Sequence, residues 1–277
     1  MKERADLLLV KQGLSLSREK AKTLIMAGQV YQGAKRVEKA GEMLDADQVL
    51  QLKGRAMPYV GRGGLKLEKA LAQFSICLEG KTVLDIGAST GGFTDCALQN
   101  GAAKVYAVDV GYGQLDWKLR QDPRVIVREK TNARYLALET LGEQADFVAV
   151  DVSFISLDKI IPILPALMKK QGSGVALIKP QFEAGREQVG KKGVVRDPLI
   201  HNRVLEKING AIRANGFSAY GLTYSPIKGP EGNIEYLIWF GLEPEGRGCP
   251  GGAALPDYLR LIVEEAFMAL SKPSNGM

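Results

Sequence analysis

Lys66 in GRGGLKLEKAL, Asp151 in VAVDVSFISL, Lys179 in ALIKPQFE and Glu235 in SPIKGPEGNIEYLIWF stand where apolar runs begin or end. A charge in such a place is costly to desolvate unless it is paired or put to use. Two lysines and two carboxylates brought together can prepare an oxygen nucleophile. One ammonium approaches the oxygen, a second cation sits beside it, and the carboxylates aim both. Lys179 takes the central place, because Pro180 stops the strand behind it and fixes where it emerges. It can serve there as a proton acceptor or as an electrostatic guide for the oxygen. Any one of these residues is also explained as a charge solvated at a strand end.

The elements that must bring them together alternate. KTVLDIG, KVYAVDV, RVIVRE, DFVAVDV and GVALIK read as strands, and their continuous apolar runs suit parallel strands buried on both faces. A helix is expected from about Leu157, another over LIHNRVLEKINGAIRANG, and further strands over FSAYGLTYS and IEYLIWFG. Alternation of this kind predicts a mostly parallel, doubly wound α/β sheet of Rossmann type. Asp151 and Lys179 then leave the sheet on its ligand-bearing edge, and Glu235 joins them if its strand runs antiparallel.

The first strand leads into Asp85-Ile-Gly87-Ala88-Ser89-Thr-Gly91-Gly92-Phe93, and Asp109 ends the next strand. Gly87 and Gly91 let a ligand approach the backbone, and Asp109 is placed for ribose hydroxyls. The spacing is neither Gly-x-Gly-x-x-Gly nor the Gly-Lys-Ser/Thr of a triphosphatase loop. It resembles the S-adenosylmethionine site of Rossmann-like methyltransferases. That likeness implies a cofactor site of Asp85, Gly87, Ala88, Ser89, Gly91, Gly92, Phe93 and Asp109, with Asn132 on the adenine edge. Tight packing of helix on strand is the competing account of the glycines. A sulfonium methyl is already activated, so transfer mainly requires an in-line acceptor oxygen, and the four charged residues supply the rest.

SLSREKAKTLIMAGQVYQG reads as a capped helix: Ser17 at the N-cap, an apolar stripe of Ala21, Leu24 and Ile25, and Gly28 at its end. Arg18 and Lys22 lie one turn apart and can face one phosphate track. A helix over ERADLLLVKQG precedes it, and short strands over QVYQ, KRVEK and QVLQLK follow. Arg4, Asp6, Ser17, Arg18, Ala21, Leu24, Ile25, Gly28 and Val30 together resemble the S4 RNA-binding domain, a small α+β fold. This implies structured RNA as partner, with Arg4, Arg18 and Lys22 as contacts.

Charge agrees with that placement. The chain of 277 residues carries +6 overall, and residues 1–60 hold 11 Lys+Arg against 7 Asp+Glu. A solvated basic face would account for the charge alone. One histidine, His201, excludes most His-based metal sites and Ser-His-Asp catalysis, and no metal is expected. Cys77, Cys96 and Cys249 are scattered, as in a reducing cytoplasm. No secretory signal or stretch of about 18 apolar residues is present, so no membrane association is expected. KGRAMPYVGRGG, residues 53–64, reads as a linker, with Arg55 and Arg62 available to RNA and Gly61, Gly63 and Gly64 flexible. GREQVGKKGVVRDP reads as a basic loop that brings Lys191, Lys192 or Arg196 to a substrate. EPEGRGCPGGAALP reads as a mobile segment before a final helix, DYLRLIVEEAFMAL.

The order S4 domain, RGGLKL, DIGASTGGFTD, DVGYGQL, DVSFISL, KPQFE, KGVVRDP and GNIEYL closely resembles the TlyA family. These are bacterial ribosomal-RNA methyltransferases, related to the FtsJ ribose methyltransferases and historically labelled haemolysins. The resemblance implies that Lys66, Asp151, Lys179 and Glu235 are the family's catalytic Lys-Asp-Lys-Glu tetrad and that S-adenosylmethionine is the cofactor. It implies transfer to cytidine 2′-hydroxyls of ribosomal RNA, with the S4 domain docking on ribosomal subunits. Asn132 departs from the acid common among FtsJ-type enzymes. The expected boundaries are residues 1–58 for the S4-like domain, 59–64 for the linker and 65–277 for the methyltransferase domain. The rival readings are a catalytically idle RNA-binding or ribosome-assembly factor and a membrane-damaging haemolysin.

Overall fold

The computed structural model describes residues 2–26, 28–53, 57–242 and 255–271. The chain separates into two compact units, Met1–Arg62 and Gly63–Met277. Arg55, Cys249 and residues 243–254 of the segment read as mobile lie outside the described residues.

The first unit contains β1 (Lys2–Arg4), α1 (Ala5–Lys11), α2 (Arg18–Met26), β2 (Val30–Gln32), β3 (Lys35–Arg36), β4 (Met43–Asp45) and β5 (Leu50–Leu52). Ser17 caps α2 as its position implies, its hydroxyl accepting the Lys20 N–H at 3.3 Å. Ala21 and Ile25 turn inward and meet Leu8, Leu9, Val30, Leu44 and Leu50 in one small core. The strands form a three-stranded antiparallel sheet, β3-β2-β5, and a separate β1-β4 pair. Arg4, expected within the first helix, belongs to β1, where Glu3 lies opposite Leu44. A strand partner so far along the chain leaves no local signal.

The second unit contains α3 (Gly63–Phe74), β6 (Thr82–Ile86), α4 (Gly92–Gln99), β7 (Lys104–Val108), α5 (Trp117–Gln121) and β8 (Val125–Arg128). It continues with α6 (Leu138–Leu141), β9 (Ala145–Val150), α7 (Leu164–Leu167), β10 (Met168–Ile178), α8 (Pro180–Glu183), α9 (Pro198–Ala214), β11 (Ser218–Tyr224), β12 (Tyr236–Gly241) and α10 (Leu255–Ser271). Gly63 and Gly64, expected in the linker, open α3, and Gly64 is buried.

The sheet runs β11-β12-β10-β9-β6-β7-β8. Its five strands from β10 to β8 are parallel, and β12 runs antiparallel to both neighbours. Val83, Leu84, Ile86, Phe147, Val148 and Val150 of the central strands have no exposed surface, which is why their runs are continuous rather than alternating. Where a single helix from Leu157 was expected, two 3-10 turns, Leu157–Lys159 and Ile161–Ile163, precede the one-turn α7. Pro162 and Pro165 fall there, and each removes an N–H that a longer helix would need.

From β6 the chain builds β7 and β8 on one side, then returns to place β9 on the other. This reversal opens a crevice beyond the C-terminal ends of β6 and β9, the place where such sheets hold ligands.

Candidate active site

The turn from β6 to α4 has three residues in the left-handed region: Gly87 at φ +90°, Ser89 at +50° and Gly91 at +97°. A Cβ on Gly87 would stand 2.4 Å from the Asp151 carbonyl oxygen, so only glycine lets the turn lie against the end of β9. At Gly91 a Cβ would stand 2.2 Å from Leu119 Cδ1, a demand made by helix packing rather than by a ligand.

A cavity of about 540 Å³ opens beside this turn. Of the expected cofactor residues, Gly87, Ser89, Asp109 and Asn132 line it, together with Asp151. Val108, Val110, Val152, Ile155 and Ile160 give it apolar walls. Asp109 accepts the Ser89 N–H at 2.8 Å and the Gly111 N–H at 2.6 Å, one on each carboxylate oxygen. Each oxygen retains a second lone pair for a hydroxyl. Asn132 caps the 3-10 turn Ala133–Tyr135 by accepting the Arg134 N–H at 3.1 Å.

The remaining members stand behind the turn. Ala88 donates its N–H to the Val108 carbonyl at 3.1 Å, and Gly92 and Phe93 are buried in the first turn of α4. Asp85 is fully buried and accepts the Thr94 hydroxyl at 2.6 Å. Burial pushes its carboxyl up to about 7. Its other oxygen has no hydrogen-bond partner. The volume, the cradle at Gly87 and the acceptors at Asp109 fit a nucleoside with an amino-acid tail, as S-adenosylmethionine has.

The four charged residues form two ion pairs. Lys179 Nζ lies 2.6 Å from Asp151 Oδ1, and Lys66 Nζ lies 2.6 Å from Glu235 Oε2. Asp151 follows β9 directly, Lys179 follows β10, and Glu235 precedes the antiparallel β12. Lys66 sits in the first turn of α3, and its neighbour Gly63 in that turn faces Asp151, with 3.9 Å from a Cβ position to Oδ2. The helical turn that supplies Lys66 therefore runs close to Asp151. Asp151 is the member that lines the cavity.

Lys179 also donates to Ser153 Oγ at 2.8 Å. Ser153 was not singled out from the sequence, and neither was Phe154, whose side chain is 91% exposed at the cavity mouth. Phe154 has φ +63° and its ring centroid lies 5.0 Å from that of Phe182. Such an exposed aromatic beside a charged site is a stacking surface for a planar base. A phenylalanine set between two serines just past an acid was the available signal.

The loop after α8 is anchored. Asn233 accepts the Val195 N–H at 3.0 Å and donates to the Gly193 carbonyl at 2.8 Å. His201 Nε2 meets the Val195 carbonyl at 3.0 Å and must carry the hydrogen; in the neutral ring Nδ1 then accepts the Tyr236 hydroxyl at 2.8 Å. Burial lowers the His201 pKa, which favours the neutral ring. Lys191, Lys192 and Arg196 are exposed on this loop. Among the described residues, no group of three or more His, Cys, Asp or Glu side chains is placed to hold a metal.

In the first unit Arg4 and Arg18 converge on Asp6. Arg4 Nε lies 3.0 Å from Oδ1 and an Arg18 terminal nitrogen 2.9 Å from Oδ2, while Asp6 itself is fully buried. The Arg4 hydrogen bond, followed by that of Arg18, holds the Asp6 carboxyl down to about 2. Both guanidiniums remain about half exposed. Lys22 pairs with Glu19 along α2 at 2.7 Å. Arg62 closes the unit.

Two family models match the chain: an S4 domain over residues 3–50 and an FtsJ-like methyltransferase over residues 59–242. The 16S/23S rRNA (cytidine-2′-O)-methyltransferase TlyA of Mycobacterium tuberculosis is 44% identical, covering 85% of this chain and 88% of its own. YqxC of Bacillus subtilis, named as a candidate rRNA methyltransferase, is 51% identical over 98% of this chain and 96% of its own. A solved structure from Streptococcus thermophilus that carries a hemolysin name superposes with a TM-score of 0.76 at 47% identity, covering 98% of this chain and 97% of that one. No described helix is long and apolar enough to cross a membrane. The chain therefore belongs to the TlyA family, in which an S4 domain precedes an FtsJ-like methyltransferase domain.

Proposed function

We propose that the protein methylates cytidine 2′-hydroxyls of ribosomal RNA, using S-adenosylmethionine, with its S4 domain gripping the folded RNA. The observation that carries this reading is the pairing of Lys179 with Asp151 at the mouth of a nucleoside-sized cavity, backed by Lys66 and Glu235. The TlyA relative named for this reaction on 16S and 23S rRNA supports the acceptor. Such an acceptor places the enzyme in the cytoplasm with the ribosomes.

S-adenosylmethionine, when bound, supplies an activated methyl group. Gly87, Ser89, Asp109 and Asn132 would hold it, as lining residues of the cavity. Lys179 donates one N–H to Ser153 Oγ and lies in ion-pair contact with Asp151. Another N–H of the ammonium can meet the acceptor oxygen, which Lys179 orients while its positive charge eases loss of the hydroxyl proton to solvent. Lys66 adds a second cation nearby, and Glu235 fixes it. Phe154 offers a face on which the target base can stack.

The test uses purified protein, tritiated S-adenosylmethionine and ribosomal subunits, with the labelled nucleotide mapped. Label on a 2′-oxygen of cytidine is expected. Lys179→Ala should lose at least about 100-fold in rate while cofactor affinity is retained. Binding of both cofactor and RNA without transfer to any subunit would sink the proposal in favour of an idle RNA-binding factor.

A further inference from the structure

Glu183 is a buried acid that the proposed chemistry does not use. Its side chain is 2% exposed, in the one-turn helix that begins just after Lys179. One carboxylate oxygen accepts the Leu157 N–H at 2.7 Å. The other accepts the Ser156 hydroxyl and lies 3.1 Å from Lys207 Nζ of α9. The lysine reaches further, to Ser156 Oγ at 3.2 Å and Asp158 Oδ2 at 3.7 Å.

These contacts form one side of a seam. Residues 151–157 and 179–183 meet in order: Asp151 and Ser153 on Lys179, Phe154 on Phe182, then Ser156 and Leu157 on Glu183. The seam contains a strained point, since Phe154 sits at φ +63° without being glycine. A bulky residue in that region is strained and persists only where its surroundings enforce it. Phe154 is itself too exposed to supply the enforcement. The fixed contacts lie on either side of it, and Glu183 supplies the more deeply buried one.

We infer that Glu183 is a positioning residue for methyl transfer, clamping the turn at 153–157 so that Ser153 Oγ stays on the Lys179 ammonium. This rests on the function proposed above. Ser153 restricts the direction of the Lys179 donors, and an ångström of drift there displaces the ammonium from the acceptor oxygen. Lys207 neutralises the buried carboxylate and does not itself line the cavity.

The experiment compares the full chain with Glu183→Gln, Ser153→Ala and the double variant. It measures kcat and KM for ribosomal subunits, equilibrium binding of S-adenosylmethionine, and amide exchange at Leu157. Glu183→Gln should lower kcat about tenfold or more, since small misplacements of a reacting group cost up to about 100-fold. KM and cofactor affinity should stay within about twofold, while the Leu157 amide exchanges faster. In the Ser153→Ala background the same replacement should change kcat by less than about twofold, because the two act through one contact. An unchanged kcat, or an undiminished tenfold loss in that background, would overturn the inference. If Glu183→Gln does not fold, Ser156→Ala removes one arm of the clamp and is read in the same way. An inactive parent chain defeats the proposed function; an active parent with an indifferent Glu183 defeats only this inference.

Discussion

Lys179 and Glu235 are cross-strand neighbours, one step beyond the last register pair, Ile178 with Tyr236, yet their charges do not pair. Lys179 turns to Asp151 and Glu235 turns to Lys66, each at 2.6 Å. The two pairs differ in depth at the acid: Asp151 is 18% exposed and Glu235 is 1% exposed. The shallower pair meets the cavity, and the deeper one fixes α3 to the start of β12. An antiparallel β12 thus permits a division of labour, because the residue before it arrives at the same sheet edge where the parallel strands end.

Breaking the deeper pair should therefore be read first in stability. Glu235→Ala leaves the Lys66 ammonium buried and unpaired, a loss of about 3–5 kcal/mol. Replacing both, as Lys66→Met with Glu235→Leu, should restore most of that stability and yet leave the enzyme inactive. Urea unfolding beside a methyl-transfer assay measures both. Equal destabilisation by the single and double changes would show that the pair is not the buried anchor.

Gly87 and Gly91 carry opposite expectations although both sit at positive φ. An added Cβ at Gly87 meets the backbone oxygen of Asp151, which cannot step aside, whereas at Gly91 it meets the ends of Leu119 and Leu115. Gly87→Ala should weaken binding of S-adenosylmethionine at least about tenfold, equivalent to 1.4 kcal/mol. Gly91→Ala should mainly lower the melting temperature. Calorimetric titration and thermal melts separate the two, and a larger affinity loss at Gly91 would reverse their roles.

Much of the site was legible because its residues interrupt local patterns. Lys179 breaks an apolar run, Asp109 ends one, and Gly87 falls in a turn that needs its φ. The antiparallel course of β12 stood as a condition for Glu235, and the pairing with β10 meets it. What escaped depends on distant partners. Glu183 reads as an ordinary acid in KPQFE until α9 brings Lys207 to it. Ser153 becomes meaningful only when β9 and β10 lie side by side. Asp85 was expected to face the ligand, but a residue inside a strand ending points into the core or the cleft according to register, which composition does not fix. The stretch from Leu157 misled because its apolar content suits a helix while its prolines do not.

Asp85 should leave a signature in the pH dependence of stability. Burial raises its carboxyl from an ordinary 3.8 to about 7. A raised pKa means that the folded state disfavours the ionised form, so stability is greatest below about pH 4 and declines as pH rises toward 7. The full decline attributable to this group is on the order of 4 kcal/mol. His201 acts with the opposite sign, since its lowered pKa makes the native state lose ground as pH falls below the ordinary histidine value of 6.5. The difference between parent and Asp85→Asn isolates the acid. Unfolding curves at several pH values should show the variant gaining on the parent as pH rises, and parallel profiles would refute the assignment.

Asp6 gives a prediction in which charge counting and structure disagree. Asp6→Asn removes a negative charge from a basic unit, and simple electrostatics would then expect tighter RNA binding. Yet Asp6 is fully buried and holds both Arg4 and Arg18, so its loss frees two guanidiniums from their fixed positions. The variant should bind ribosomal RNA several-fold more weakly, while Arg18→Ala should also flatten the dependence of log K on log salt by about one phosphate contact. The same carboxylate stabilises the unit above pH 3.8, and that stability is lost as pH falls toward about 2. Asp6→Asn should remove this acid transition from the circular dichroism of the full chain. Tighter RNA binding by the variant at matched salt would mean that the two arginines contribute charge alone, without the geometry that Asp6 imposes on them.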